Sequence, residues 1–302
     1  MNRNNTPWRA QSYANIDWSQ GDTPVSSQYD DVYFSRDGGL AESRYVFLEG
    51  NSLPDRWRSH TKPVFTIAET GFGTGLNFLM TWQALDEMAE DSPRLHFISV
   101  EKYPLKPADL ARSLKPWGAL APYAEALLSQ YPLPIPGNHR LLFDDGRVIL
   151  DLWLEDADDW IKDIASRGTR SVDDWYLDGF APARNESLWS GDILAAMGQL
   201  SHAATTLATF TAAGRVRRDL EAAGFEMHKA SGYGRKRECL RGTYSGSLEF
   251  NEVAQQAASR ARRSPHATST PTPWDLPDKP STQPDAVLVL GAGLAGCTAA
   301  HA

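Results

Sequence analysis

The chain has 302 residues, 41% of them hydrophobic, a formal net charge of −8 at pH 7 and two cysteines. That length supports one large or two modest domains with a proper core, and the acidic balance argues against a generic nucleic-acid binder. No apolar run reaches the roughly 18 residues of a membrane span; the polar start MNRNNTPWRAQSYANIDW lacks the apolar heart of a signal peptide, and Cys239 and Cys297 match no metal-ligand spacing, so a cytoplasmic chain without metal is expected.

Residues 1–62 are mixed, with DDVYFS and ESRYVFLEG as short strands or a helix start. PVFTIAE (63–69) is a buried strand closed by a glycine turn, and LNFLMTWQALDEM is helical. LHFISVEK (95–102) is a second strand, followed by the helix PADLARSL with Pro107 near its start. HRLLFDDGRVILDLWLED is a hairpin with Asp-Gly at its turn. WYLDGF is a further parallel-type strand, SLWSGDILAAMGQL a helix and TTLATFT another apolar strand. GRVRRDLEAAGF is a helix stopped by Gly224, and EMHKASGYGRKRECLRGTYS forms two closing strands. Strands alternating with helices predict an α/β fold with a doubly wound, mostly parallel sheet, and the closing pair predicts an antiparallel strand at one edge.

From about 251 the texture changes to a Pro/Ser/Thr-rich linker, expected over 251–285. A new strand–turn–helix, AVLVLGAGLAGCTAAHA, then occupies 286–302. Its Gly291, Gly293 and Gly296 carry the G-x-G-x-x-G spacing of a dinucleotide turn. The acid expected about 20 residues on is absent because the chain stops at Ala302, so this turn is expected to bind nothing by itself.

The first glycine turn is spelled differently, Glu69-x-Gly71-x-Gly73-x-Gly75, with Leu76 where the third glycine of the dinucleotide pattern would stand. An acid two residues before the first glycine suits a cation better than a diphosphate. S-adenosylmethionine, with its sulfonium and ammonium, fits, and glycine lets the backbone approach it; a plain structural turn is the alternative. Glu101, ending the second strand, is placed to accept ribose hydroxyls, or else to cap the next turn. Asp156, one of several acids in WLEDADDW, is a candidate acceptor for an adenine amino group.

LDGFAP (177–182) sets an acid, an aromatic and a proline at a strand's carboxyl end, where α/β sites lie. Amino-methyltransferases often carry such a group there, the polar residue holding the target nitrogen and the aromatic stacking on the base. Asp178 as a helix cap is the alternative. Residues 215–241 hold eight basic side chains (Arg215, Arg217, Arg218, Lys229, Arg235, Lys236, Arg237 and Arg241) against four acids. A solvated helix face with a charged hairpin would account for them.

Together AETGFGTGLNFL, ISVEKYPL, WYLDGFAPARN, FTAAGRVRRDLEAAGF and GYGRKRE resemble the methyltransferase half of the MnmC family over roughly residues 8–245. These bifunctional enzymes finish 5-methylaminomethyl-2-thiouridine at the tRNA wobble position. The resemblance implies a Rossmann-like S-adenosylmethionine-dependent methyltransferase over 1–250, with a seven-stranded sheet and one antiparallel edge strand, acting on a tRNA anticodon loop. It implies that the last segment begins the family's FAD-dependent oxidase half, so FAD is expected only in a longer chain. The cofactor site implied comprises Glu69, Gly71, Phe72, Gly73, Gly75 and Asn77 from the first turn, with Glu101, Lys102, Asp156 and Asp178. Asp178 is the implied catalytic group. Phe180, Pro182 and Trp189 would meet the base, a place in the core being the equal alternative for Phe180 and Trp189, while Arg215, Arg217, Arg235, Lys236 and Arg237 would meet backbone phosphates. A monomer is expected. A flavin oxidoreductase fragment, an aminopropyl transferase and a non-catalytic tRNA-binding module are the competing expectations.

Overall fold

A computed structural model describes residues 11–35, 38–88, 92–166 and 171–246. The linker at 251–285 and the unit at 286–302, with Gly291, Gly293 and Gly296, lie outside the described residues. In chain order the first elements are three two-residue strands forming a small antiparallel sheet: β1 (Ile16–Asp17), β2 (Val25–Ser26) and β3 (Asp31–Val32). Helix α1 (Gly39–Ser43), a π-helical turn at Arg44–Leu48 and α2 (Asp55–Ser59) follow. ESRYVFLEG is therefore helical, not extended.

Next come β4 (Val64–Thr70), α3 (Leu76–Asp86), β5 (Arg94–Val100), α4 (Pro107–Leu114) and α5 (Ala121–Gln130). The hairpin strands β6 (Gly137–Phe143) and β7 (Val148–Leu154) precede α6 (Ala157–Ser166) and β8 (Val172–Tyr176). The last elements are α7 (Gly191–Leu200), β9 (Ser201–Thr209), α8 (Gly214–Ala222), β10 (Phe225–Ser231) and β11 (Glu238–Tyr244). Sheet order is β10-β11-β9-β8-β4-β5-β7-β6. The five inner strands from β9 to β7 are parallel, and the outer pairings β6–β7, β11–β9 and β10–β11 are antiparallel. The sheet thus has eight strands, one more than expected, with antiparallel pairing at both rims instead of one. The second antiparallel rim is the expected hairpin, β6 laid against β7 by the turn at Asp144, Asp145 and Gly146, whose φ values are 56°, 52° and 80°.

The middle strands read as unbroken apolar runs because helices cover both faces. β4 and β5 are buried from their second residue onward, and β7 along its whole length. On one face Phe78 of α3 meets Phe97 of β5 with ring centroids 5.3 Å apart, and Trp82 meets Phe143 at 4.8 Å. Toward the other side, Trp175 of β8 is fully buried and its indole N–H donates to Ser201 Oγ at 2.9 Å. Among the described residues no helix is long and apolar enough to cross a membrane.

From β4 the chain winds outward to β5 and β7, then returns past β4 to β8 and β9. The reversal opens a crevice at the carboxyl ends of β4, β5 and β8, the place where doubly wound sheets bind ligands. The strand expected as WYLDGF ends earlier, at Tyr176. Beyond it Gly179 takes φ +131°, and Thr70 Oγ1 donates to the Asp178 carbonyl at 2.9 Å, turning 177–180 out of the sheet and over the crevice.

Candidate active site

The crevice is a cavity of about 390 Å³ lined from the first glycine turn, the ends of β5 and β7, the 178–181 loop, the 29–35 segment and α1. The glycine turn hangs from β5, since the Gly71 and Phe72 N–H groups both donate to the Val100 carbonyl, at 3.2 and 2.9 Å. Gly71 has φ +98°, and a Cβ there would lie 3.3 Å from Gly179 Cα. Only glycine lets the two loops approach that closely.

Three acids stand at these strand ends. Glu69, fully buried on β4, accepts from Asn77 Nδ2 at 2.9 Å and from Ser99 Oγ at 2.7 Å. Asn77 Nδ2 also donates to Asp178 Oδ2 at 2.7 Å, so one amide ties two carboxyl groups together. Glu101 accepts the Gly73 N–H at 2.9 Å and the Tyr103 N–H at 2.8 Å. Burial pushes Asp178 up to about 6 and Glu101 up to about 7. It drives Glu69 well above the usual range too, reinforced by the Asp178 charge. These groups hold their protons to higher pH than ordinary carboxyls because burial disfavours the charged form, and their N–H and O–H donors offset that only in part.

At the far end, Lys102 Nζ donates to Asp156 Oδ2 at 2.6 Å, and Asp156 Oδ1 accepts the Asp158 N–H at 3.0 Å at the head of α6. Burial works against the Asp156 charge, yet Lys102 and that N–H hold its carboxyl below the ordinary range. Glu155 beside it is pushed up to about 7, by burial first and then by Asp163, Asp159 and Asp156.

An aromatic wall closes the cavity. Phe180 stacks on Tyr29 with centroids 4.7 Å apart at 28°, and Tyr33 meets Phe180 edge-on at 5.0 Å. The Ala181 N–H donates to Asp31 Oδ2 at 3.0 Å, pinning the 29–35 segment to the 178–181 loop.

Of the expected cofactor residues, Gly71, Phe72, Gly73, Asn77, Glu101, Lys102, Asp156 and Asp178 all line this cavity. Two expectations need correction. Glu69 does not line it; it lies behind Asn77, whose amide it fixes, and it is coupled by charge to Asp178. Gly75 also lies outside the lining and caps α3. Of the base-stacking candidates Phe180 is at the cavity, but Pro182 is not among the lining residues. Trp189 is core, fully buried with its indole N–H donating to the Phe180 carbonyl at 2.8 Å, so it supports the loop instead of stacking on a ligand.

The basic cluster also divides. Arg215 and Arg217 lie on α8 beside Asp219 and Glu221 at 3.6 and 3.8 Å, and Lys229 pairs with Glu238 at 2.7 Å. Lys236, expected on a phosphate surface, instead lines the cavity. Arg218, Arg235 and Arg237 are exposed. Tyr29, Tyr33, Glu42 and Glu155 line the site without having been singled out in the sequence.

The donor set suits a cationic, ribose-bearing ligand. Protonatable acids face the cavity, glycine backbone lies open to it, and Asn77 Oδ1 is buried there without a partner. Residues 119–245 match the protein family described as S-adenosyl-L-methionine-dependent methyltransferase. Fold and family match together define the class, an S-adenosylmethionine-dependent methyltransferase.

Within that class the chain is similar to the crystal structure of MNMC2 from Aquifex aeolicus, with TM-score 0.60 and 24% identity over 82% of this chain and 76% of that one. At that identity it is the fold that is shared, and the expected resemblance to the MnmC methyltransferase half holds at this level. Human methyltransferase-like protein 13 in complex with SAH matches more distantly, with TM-score 0.37 and 10% identity over 75% of this chain and 95% of that one.

Proposed function

We propose that the protein methylates the primary amine of 5-aminomethyl-2-thiouridine at a tRNA wobble position, giving 5-methylaminomethyl-2-thiouridine. The observation that carries this reading is that Asp178 and a stacked aromatic wall, Phe180 on Tyr29, line the same cavity as Glu101. A carboxyl group beside aromatic faces is what an amine on a splayed base requires.

S-adenosylmethionine, when bound, supplies a methyl group made electrophilic by its sulfonium. Glu101 would take the ribose hydroxyls, the Gly71–Gly73 backbone and Asn77 the methionyl portion, and Asp156 the adenine side. Asp178 orients the acceptor nitrogen. An alkylamine has a pKa near 10. With Asp178 pushed up to about 6, moving the proton between them is uphill by roughly 4 units, about 5 kcal/mol. The ammonium gives its proton to water, and Asp178 then holds the neutral amine and stabilises the ammonium that forms as the nitrogen lone pair takes the methyl and the donor's S–CH3 bond breaks, leaving S-adenosylhomocysteine. Positioning supplies much of the remaining acceleration. Phe180 and Tyr29 exclude water from one side, and Arg218, Arg235 and Arg237 supply positive charge for the RNA backbone.

Incubation of the full chain with methyl-labelled S-adenosylmethionine and tRNA carrying the aminomethyl intermediate, followed by nucleoside analysis, tests this. Label is expected in 5-methylaminomethyl-2-thiouridine. Label confined to any other nucleoside, or none in the RNA, overturns it.

A further inference from the structure

Lys236 reaches the cavity from the turn between β10 and β11, and this turn is built, not loose. The Lys236 N–H donates to the Tyr233 carbonyl at 3.0 Å and the Gly232 N–H to the Arg237 carbonyl at 3.1 Å. A Cβ on Gly232 would lie 2.2 Å from the Lys236 carbonyl oxygen, so only glycine permits the closure. Tyr45 Oη, next to α1, donates to the Ser231 carbonyl at 2.8 Å and docks the turn against that helix. So anchored, the turn delivers the Lys236 ammonium to 2.7 Å from Glu42 Oε1 and to 4.8 Å from the centre of the Phe210 ring.

The two partners differ in freedom. The Glu42 side chain is 11% exposed and the Lys236 side chain 48%. The half-exposed Lys236 tip has open solvent beside it, which the enclosed Glu42 carboxyl lacks. A buried carboxylate stripped of its cation is costly, so if Lys236 departs another cation must replace it. An acid set beside an aromatic face is the chemistry of an alkylammonium site, and a lysine tip is itself a primary alkylammonium. Both groups also act on Asp178, Lys236 favouring its charge and Glu42 opposing it, which places them in the same electrostatic neighbourhood.

We infer that Glu42 and Phe210 form the docking subsite for the acceptor's protonated aminomethyl group, and that Lys236 is the chain's own stand-in there, displaced when the acceptor arrives. This rests on the amine-methyltransferase reading and adds a specificity residue to it. Glu42 is a positioning group: it selects a cationic primary amine and hands its nitrogen toward Asp178.

Binding of n-butylammonium to the full chain tests the inference without RNA or turnover. Lys236→Met should tighten butylammonium binding at least tenfold over wild type, followed by titration calorimetry, because the competing ammonium is gone. Lys236→Arg should bind it as weakly as wild type, and Lys236→Met with Glu42→Gln should lose the gain. In turnover with aminomethyl tRNA, Glu42→Gln should raise KM at least tenfold and move kcat much less. Equal butylammonium affinity in wild type and Lys236→Met overturns the inference, as does Lys236→Met merely weakening tRNA binding, which would mark a phosphate contact. Should the double variant fail to fold, the Met-versus-Arg contrast decides alone. Methylation of the tRNA without these butylammonium effects would sink the subsite and spare the function. The butylammonium effects without methylation of that uridine would do the reverse.

Discussion

Two sets of buried carboxylates sit in the same sheet, and they are treated in opposite ways. Asp151, fully buried on β7, is gripped by Arg140 across the β6–β7 register through two bonds of 2.7 Å, with His96 Nε2 at 2.8 Å. Burial opposes its charge, yet Arg140 and His96 hold its carboxyl below the ordinary range. At the crevice Glu69, Glu101 and Asp178 meet amide, hydroxyl and backbone donors, and all three are raised. The Asp151 network is complete in the chain. The crevice acids have no arginine or histidine clasping them in this way among the described residues, and raised carboxyls in a cleft are the pattern of acids that serve a ligand.

Breaking the completed network should have the largest effect. Arg140→Met leaves Asp151 buried with its main partner gone, and a loss of about 3–5 kcal/mol is expected, read as a lowered denaturant midpoint with kcat per folded molecule unchanged. Asp178→Ala should cut turnover by roughly 10²–10³-fold and shift the affinity for S-adenosylhomocysteine by less than about threefold. Equal losses in both would move Asp178 into the cofactor-binding shell.

The pH dependence sharpens the contrast. Asp178 and Glu101 bind their protons more tightly folded than unfolded, so their contribution to stability is greatest below about pH 4 and declines as pH rises toward 6 and 7. Asp151 runs the other way: its contribution is present above the unfolded value of 3.8 and fades as pH falls below it. A cationic ligand selects the ionised crevice acids. S-adenosylmethionine affinity should therefore climb as pH rises from 5 to 7 and then level, with proton release visible when calorimetry is repeated in buffers of different ionisation enthalpy. Flat affinity over that range would place the ligand away from these acids. A smaller effect is expected of Asp178→Asn in the ligand-free protein, a gain of about 1 kcal/mol in melting experiments near pH 7.5. The least is expected of Arg235→Glu with Arg237→Glu, which should weaken tRNA binding and reduce its salt slope by about two.

The sequence displayed the inner sheet and the glycine turn well, because buried parallel strands are continuous apolar runs and the acid-glycine spelling is local. It left Trp189 open between core and stack, since an indole is apolar and donor-bearing alike in both. It missed Tyr29, Tyr33 and Glu42 for a different reason. Their segment meets the 178–181 loop through bonds such as Asp31 to Ala181, 150 residues apart, and nothing periodic in 29–42 announces that meeting. Glu69 was recognised as an acid at the right turn, but its concealment behind Asn77 depends on a side chain eight positions later on the next helix.

The antiparallel rim formed by β10 bears on behaviour in concentrated solution. Glu226, His228 and Lys229 on that outermost strand face water, and charged side chains on an outer strand discourage another chain from zippering onto its unpaired backbone. Among the described strands, the flank farthest from β6 therefore resists edge-to-edge fusion of sheets.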